Sequence, residues 1–305
     1  MTTNARAHGR PSSPARPTAG AAGSSFLERS ENLEHPNIRP EADPTRRRRL
    51  RTVWVSDVHL GARASKAHEL LTFLKTVECD QLYLVGDILD FWKLRKRVHW
   101  PAVCTALTAH VSRLAESGVD VIYVPGNHDA EFRGHGIFQI AGVSVRNEVI
   151  HHTADGRRLL VTHGDAFDDY GEESSWLVAI GDRAYSWTIV VSEGLNVVRG
   201  WLGLPHWSLS LWLKQKVKSA VGFVSRFQDR VIAAAAERRV DGVVCGHIHK
   251  AELRRIGDVI YANDGDWVES CTALVEEDSG RMELLRWDGS ETVQLAELAA
   301  QSLPV

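Results

Sequence analysis

At 305 residues and 44% apolar composition the chain has ample material for a buried core, and its length suits one large domain or two small ones. Its formal net charge of −3 is unevenly spread: residues 1–50 hold nine Arg against five acids, which leaves −7 on residues 51–305. An acidic body argues against a general nucleic-acid binder, which should show a basic one, and suits a protein whose carboxylates hold cations.

Cys79, Cys104, Cys245 and Cys271 are too few and too scattered for a disulfide framework or a C-x-x-C zinc site, so a reducing, cytoplasmic setting is expected. No window approaches the roughly eighteen consecutive apolar residues of a membrane-spanning helix, and the N-terminus lacks the apolar core of a secretory signal. A soluble or peripheral protein is expected.

Residues 1–50, rich in Ala, Pro, Arg, Ser and Gly, cannot bury enough surface to offset their ordering entropy and are expected to be a disordered tail. The run Arg46–Arg49 reads as a solvated flank, with contact to an anionic lipid or nucleic acid as the alternative. From Thr52, short β-rich runs alternate with helical stretches. Strands are expected over 52–56, 82–85, 119–124, 159–162 and 242–245, and helices over 66–77 and 101–117. Pro101 suits a first helical turn and Gly118 a stop. Residues 167–238 break the rhythm as a helical cap with five of the ten tryptophans, Trp176, Trp187, Trp201, Trp207 and Trp212. Within it, Arg199–Arg230 holds six basic residues and one acid. After Ala251, further runs at 259–262, 272–276 and 281–287 predict a second sheet. The main domain is expected over 51–290, with 291–305 as a C-terminal tail.

Each early strand ends in a polar motif. Asp57-x-His59 follows the first; in extended backbone, residues two apart point the same way, so carboxylate and imidazole can converge. Gly86-Asp87-Ile88-Leu89-Asp90 follows the second, with Asp90 one helical turn beyond Asp87; capping of the next helix is the bland reading. Gly126-Asn127-His128-Asp129 follows the third, where Asn offers a neutral oxygen and a turn is the plain alternative. Thr162-His163-Gly164-Asp165 and Gly246-His247-x-His249 complete the set. A single His at a strand end is usually structural; five motifs on one sheet edge, where α/β folds build ligand sites, make coincidence improbable.

In order, these motifs resemble the calcineurin-like metallophosphoesterase superfamily over roughly residues 52–287. The resemblance implies an α/β fold of two packed mixed β-sheets flanked by helices, a four-layer arrangement, here with a helical cap. It implies two divalent metal ions, one on Asp57, His59, Asp87 and His249, the other on Asp87, Asn127, His163 and His247. Such ions activate water for attack on phosphorus. His128 would then donate a proton or a hydrogen bond to the leaving group, with Asp90 orienting its ring. Nitrogen and oxygen ligands without thiolate suit Mn²⁺ first, or Fe or Zn²⁺, over Ca²⁺.

Within the superfamily, Ser56–Gly61, Gly86–Trp92 and the Trp-rich insertion are similar to the UDP-2,3-diacylglucosamine diphosphatase group, whose members cleave a lipid-linked nucleotide diphosphate in lipid A synthesis. Well-known members carry Arg where this chain has His128. The basic cap could meet such a substrate, or an anionic bilayer on the inner membrane face, or simply pack on its own core. A phosphodiesterase or phosphatase acting on a cyclic nucleotide, nucleic acid or another diphosphate is the alternative, and a non-catalytic scaffold the third. Oligomeric state is left open.

Overall fold

The computed structural model describes residues 47–134, 138–168 and 209–301, the side chains of 209–221 excepted. β1 (Arg48–Val55) pairs in parallel with β2 (Val77–Val85), and β2 in parallel with β3 (Asp120–Val124). The last four residues of each are buried without a break, as strands covered on both faces require. Between them lie α1 (Ala67–Thr76), the short α2 (Phe91–Lys96) and α3 (Ala102–Glu116). α1 buries Leu70, Leu71, Phe73 and Leu74, and α3 buries Cys104, Leu107 and Val111, each the apolar stripe of a surface helix.

β4 (Phe138–Ile140) and β5 (Val143–Val145) extend this sheet beyond β3. A second sheet contains β6 (Val149–His152), β7 (Arg158–Val161), β8 (Gly242–Cys245), β9 (Glu252–Ile256) and β10 (Val259–Asn263). The first sheet is completed by β11 (Thr272–Glu276), β12 (Met282–Trp287) and β13 (Thr292–Leu298). Its order is β13-β12-β11-β1-β2-β3-β5-β4, and that of the second is β6-β7-β8-β10-β9.

The sheets meet through Trp54, Tyr83, Val85, Ile122 and Val124 on one side and Leu159, Val161, Val244 and Ile260 on the other. α1 and α3 cover the outer face of the first sheet. The last helix, α4 (Leu209–Arg238), covers the second with Phe223, Phe227, Val231 and Ala235. The result is the expected α/β fold of two packed mixed sheets between helices.

Three expectations change. The strands after Ala251 do not make a sheet of their own: β9 and β10 join the second sheet, whereas β11 to β13 run antiparallel on the β1 edge of the first. An apolar run specifies a buried strand but not its neighbour, which tertiary pairing decides. The segment expected as a tail carries β13, an edge strand with a mostly half-buried or exposed pattern, held through its backbone to β12. The arginine run is partly strand: Arg48 meets Glu277 at 2.8 Å and Glu283 at 2.7 Å, and Arg49 meets Asp80.

The expected tail over residues 1–46, and the cap with Trp176, Trp187, Trp201 and Trp207, lie outside the described residues. Trp212 falls on α4, its side chain likewise outside. Among the described residues no helix is long and apolar enough to cross a membrane.

Candidate metal centre

The five motifs leave the C-terminal ends of β1, β2 and β3 in the first sheet and β7 and β8 in the second. They meet where the two sheets adjoin. Backbone hydrogen bonds stitch them together: Asp57 N donates to Gly86 O at 3.0 Å, His59 N to Asp87 O at 2.8 Å, and Gly246 N to His163 O at 3.0 Å.

The D-x-H and H-x-H pairs do not converge by strand alternation. Asp57, His59, Asp87, His247 and His249 all have positive φ, between 50° and 68°, in left-handed backbone that bulky residues rarely adopt. The chain leaves each strand and turns sharply, and the turns aim these side chains inward. Strained backbone of this kind persists where surrounding structure over-determines it and clusters at functional sites. Close approach adds a further demand at Gly126, where a Cβ would collide with the carboxylate and backbone nitrogen of Asp87.

Three groups of side chains bring potential ligand atoms within 4.8 Å of one another: Asp57, His59 and His249; Asp87, His163 and His247; and His59, Asp90 and His128. In the first, His249 Nε2 lies 3.1 Å from Asp57 Oδ1 and His59 Nε2 lies 3.8 Å from it. In the second, His163 Nε2 is 3.4 Å from Asp87 Oδ2. That same oxygen is 3.8 Å from His59 Nε2, so Asp87 faces both groups. Asp87 Oδ1 accepts from His128 N at 2.8 Å, and Asp57 Oδ2 from His247 N at 2.9 Å, which holds both carboxylates in place.

Asp90 does not lie a helical turn beyond Asp87, since residues 87–90 are not helical; it is the N-cap of α2. Its bland and functional readings coexist. Oδ1 accepts from Lys93 N at 2.9 Å and stands 3.1 Å from His128 Nδ1, while Oδ2 is 3.5 Å from His59 Nδ1.

The donor set fits metal ions. Asp57 Oδ1, Asn127 Oδ1 and His163 Nε2 are buried polar atoms without a hydrogen-bond partner among the described residues, and such atoms are costly unless something else satisfies them. His163 Nδ1–H donates to Val85 O at 2.9 Å, leaving Nε2 as the lone-pair nitrogen, as in metal-binding histidines. His247 Nε2 lies 3.2 Å from Asp168 Oδ2, a carboxylate that carried no recognisable motif signal.

Burial alone would raise the Asp57 carboxyl, but His249, His59 and His163 hold it well below the usual carboxylate range; Asp87 is lowered against its burial chiefly by His163. Burial would lower His59, yet Asp57, Asp90 and Asp87 raise it to about 10. His163 and His249 are raised in the same way, mainly by Asp87 and Asp57 respectively. A carboxylate field that draws protons onto buried imidazoles equally draws divalent cations, which would displace those protons.

Several supporting residues carried no functional signal of their own. Asp129, fully buried, accepts from Ile88 N at 2.8 Å, Leu89 N at 3.2 Å, Gly126 N and the Tyr123 hydroxyl. One side chain thus ties the Asp87 loop to the Asn127 loop. Asp129→Asn presents amide hydrogens to these donors, and is expected to lower stability by about 2–4 kcal/mol, from lost charge-assisted and unsatisfied hydrogen bonds. Urea denaturation of the metal-free protein measures it; an unchanged midpoint would refute the tie.

Arg133 grips Asp165 with two bonds of 2.7 Å and Pro125 O at 2.7 Å, joining the loops after β3 and β7. Asn263-Asp264-Gly265, read as a turn, also places buried side chains behind the site. Asp264 Oδ1 accepts from Ser56 Oγ at 2.6 Å, and Asn263 Nδ2 donates to Gly246 O at 2.7 Å.

Buried carboxylates, imidazoles and an orphaned amide oxygen gathered at adjoining sheet ends offer the donor set of a divalent-metal site. Residues 50–251 match the family model described as calcineurin-like phosphoesterase, and the chain belongs to that family of metal-dependent phosphoesterases. The UDP-2,3-diacylglucosamine hydrolase of Neisseria meningitidis serogroup B is 25% identical over 244 residues, covering 74% of this chain and 93% of that protein. The protein of the same name from Vibrio atlanticus is 29% identical over 250 residues, covering 74% and 93%. Among solved structures, Yfce, a phosphoesterase from E. coli, aligns with a TM-score of 0.41 at 17% identity over 82% of this chain and 99% of its own.

Proposed function

We propose that the chain is a dinuclear phosphohydrolase that cleaves the diphosphate of UDP-2,3-diacylglucosamine or a similar lipid-linked nucleotide. The carrying observation is that Asp87 faces both ligand groups, 3.4 Å from His163 and 3.8 Å from His59. One ion would take Asp57, His59, Asp87 and His249, and the other Asp87, Asn127, His163 and His247, with Mn²⁺ as the first choice of metal. Bound there, the ions supply Lewis acidity, polarising phosphoryl oxygens and acidifying water.

The chain's own groups do the rest. Asp90 holds the Nδ1 edges of both His59 and His128, fixing one ring as a ligand and the other as a proton donor. With Nδ1 so occupied, His128 presents Nε2 to the leaving oxygen, and its 18% exposed side chain is reachable by substrate. Arg133 keeps the loops bearing Asn127 and His163 in register. Similarity to the two hydrolases over 74% of the chain supports the substrate class. The basic, Trp-containing sequence over residues 199–230 would offer a contact for acyl chains or for an anionic inner membrane face.

Phosphorus NMR of the Mn²⁺-loaded protein with UDP-2,3-diacylglucosamine, plain UDP-sugars and an aryl phosphodiester tests the assignment. UMP released from the lipid substrate alone is expected. Cleavage of the aryl ester alone would leave the metal chemistry standing and discard the lipid substrate in favour of another phosphodiester.

A further inference from the structure

We propose that Trp92 is a positioning residue for His128, holding the imidazole in the orientation from which it protonates the leaving group; the inference rests on the acid role proposed above for His128. The Trp92 and His128 ring centroids are 3.8 Å apart with planes 32° apart, so the indole lies across the imidazole face. His59 meets the same imidazole edge-on, at 4.7 Å and 89°. Asp90 holds the ring at Nδ1, 3.1 Å away, and Phe91 N donates to His128 O at 3.2 Å.

Thus three consecutive residues, Asp90, Phe91 and Trp92, each touch His128 with a different group: carboxylate, backbone amide and indole. A hydrogen bond at Nδ1 restrains the ring in its own plane but leaves tilting about that bond free. A flat aromatic surface against the face removes this tilt. Trp92 is half-buried and, among the described residues, is part of none of the three hydrophobic clusters, so core packing does not account for it.

In the reaction served, the proton on Nε2 passes to the leaving oxygen, the bridging oxygen of a diphosphate or the ester oxygen of an aryl phosphodiester, as its bond to phosphorus breaks. A water oxygen bonds to phosphorus and releases its proton to solvent. The imidazole is left neutral, with Nδ1–H still directed at Asp90. A small misplacement of a proton donor costs rate out of proportion to its size.

The test uses the Mn²⁺-loaded full-length enzyme and aryl methyl phosphodiesters whose leaving phenols span a range of basicity. His128→Ala should steepen the fall of kcat with leaving-group pKa, since poor leaving groups need the proton most. Trp92→Ala should steepen it too, losing about tenfold on the most basic phenol and almost nothing on p-nitrophenol, a fraction of the full general-acid contribution. KM and metal content should be unchanged. Trp92→Phe should restore the wild-type slope, and Trp92→Ala combined with His128→Ala should be no worse than His128→Ala alone.

Equal loss on every substrate, or a loss adding to that of His128→Ala, overturns the role of Trp92 while the acid role stands. A wild-type slope in His128→Ala removes the acid role and this inference with it. Should Trp92→Ala fail to fold, the comparison of Trp92→Phe with Trp92→Leu decides, since Leu keeps apolar bulk without the flat face.

Discussion

Asp87→Ala is expected to lose both metal ions and at least about 10³-fold in kcat. Asp87 joins the two ligand groups through one oxygen, 3.4 Å from His163 Nε2 and 3.8 Å from His59 Nε2. Its other oxygen anchors the Asn127 loop through His128 N at 2.8 Å. Truncation removes the shared negative charge and loosens the loop carrying another proposed ligand. Asp87→Asn separates these causes, because the amide retains shape and an acceptor for His128 N but not the charge. Metal analysis after gel filtration and turnover of an aryl phosphodiester measure both. Two retained ions with wild-type turnover would defeat the bridging assignment.

His128→Ala is expected to keep both ions yet lower kcat by roughly 10²–10⁴-fold, the usual range for a general acid. The contrast with Asp87 follows from geometry. The carboxylate at the His128 ring is that of Asp90, 3.1 Å from Nδ1, which also caps α2. Removing the imidazole leaves Asp90 bound to Lys93 N and still facing His59, so the first ligand group keeps its outer support. Loss of metal from His128→Ala in the same analysis would instead make His128 a ligand within the His59–Asp90–His128 group.

Local pattern and tertiary structure contributed differently to what can be read in the chain. β8 and β11 have the boundaries their apolar runs predict, and α1 and α3 fall within a residue of their predicted ends, because burial imposes a short-range period visible in composition. β13 was illegible for the opposite reason: an edge strand with little burial has no such period. Asp129, although part of a motif, had no role legible in the sequence, and Arg133 carried no signal at all, since their roles lie in contacts with other loops. The tie from Asp129 to Ile88, for example, spans 41 residues.

By itself, the sequence determined the α/β class, the strand ends at which polar motifs fall and the ligand chemistry those motifs offer, since each depends on residues near one another in the chain. Only the tertiary structure decided that β11 to β13 join the first sheet. It alone showed that the inward turn of Asp57, His59, Asp87, His247 and His249 comes from left-handed backbone rather than strand alternation. Those outcomes depend on which distant strand ends meet where the two sheets adjoin, and on backbone strain that only the packed surroundings sustain.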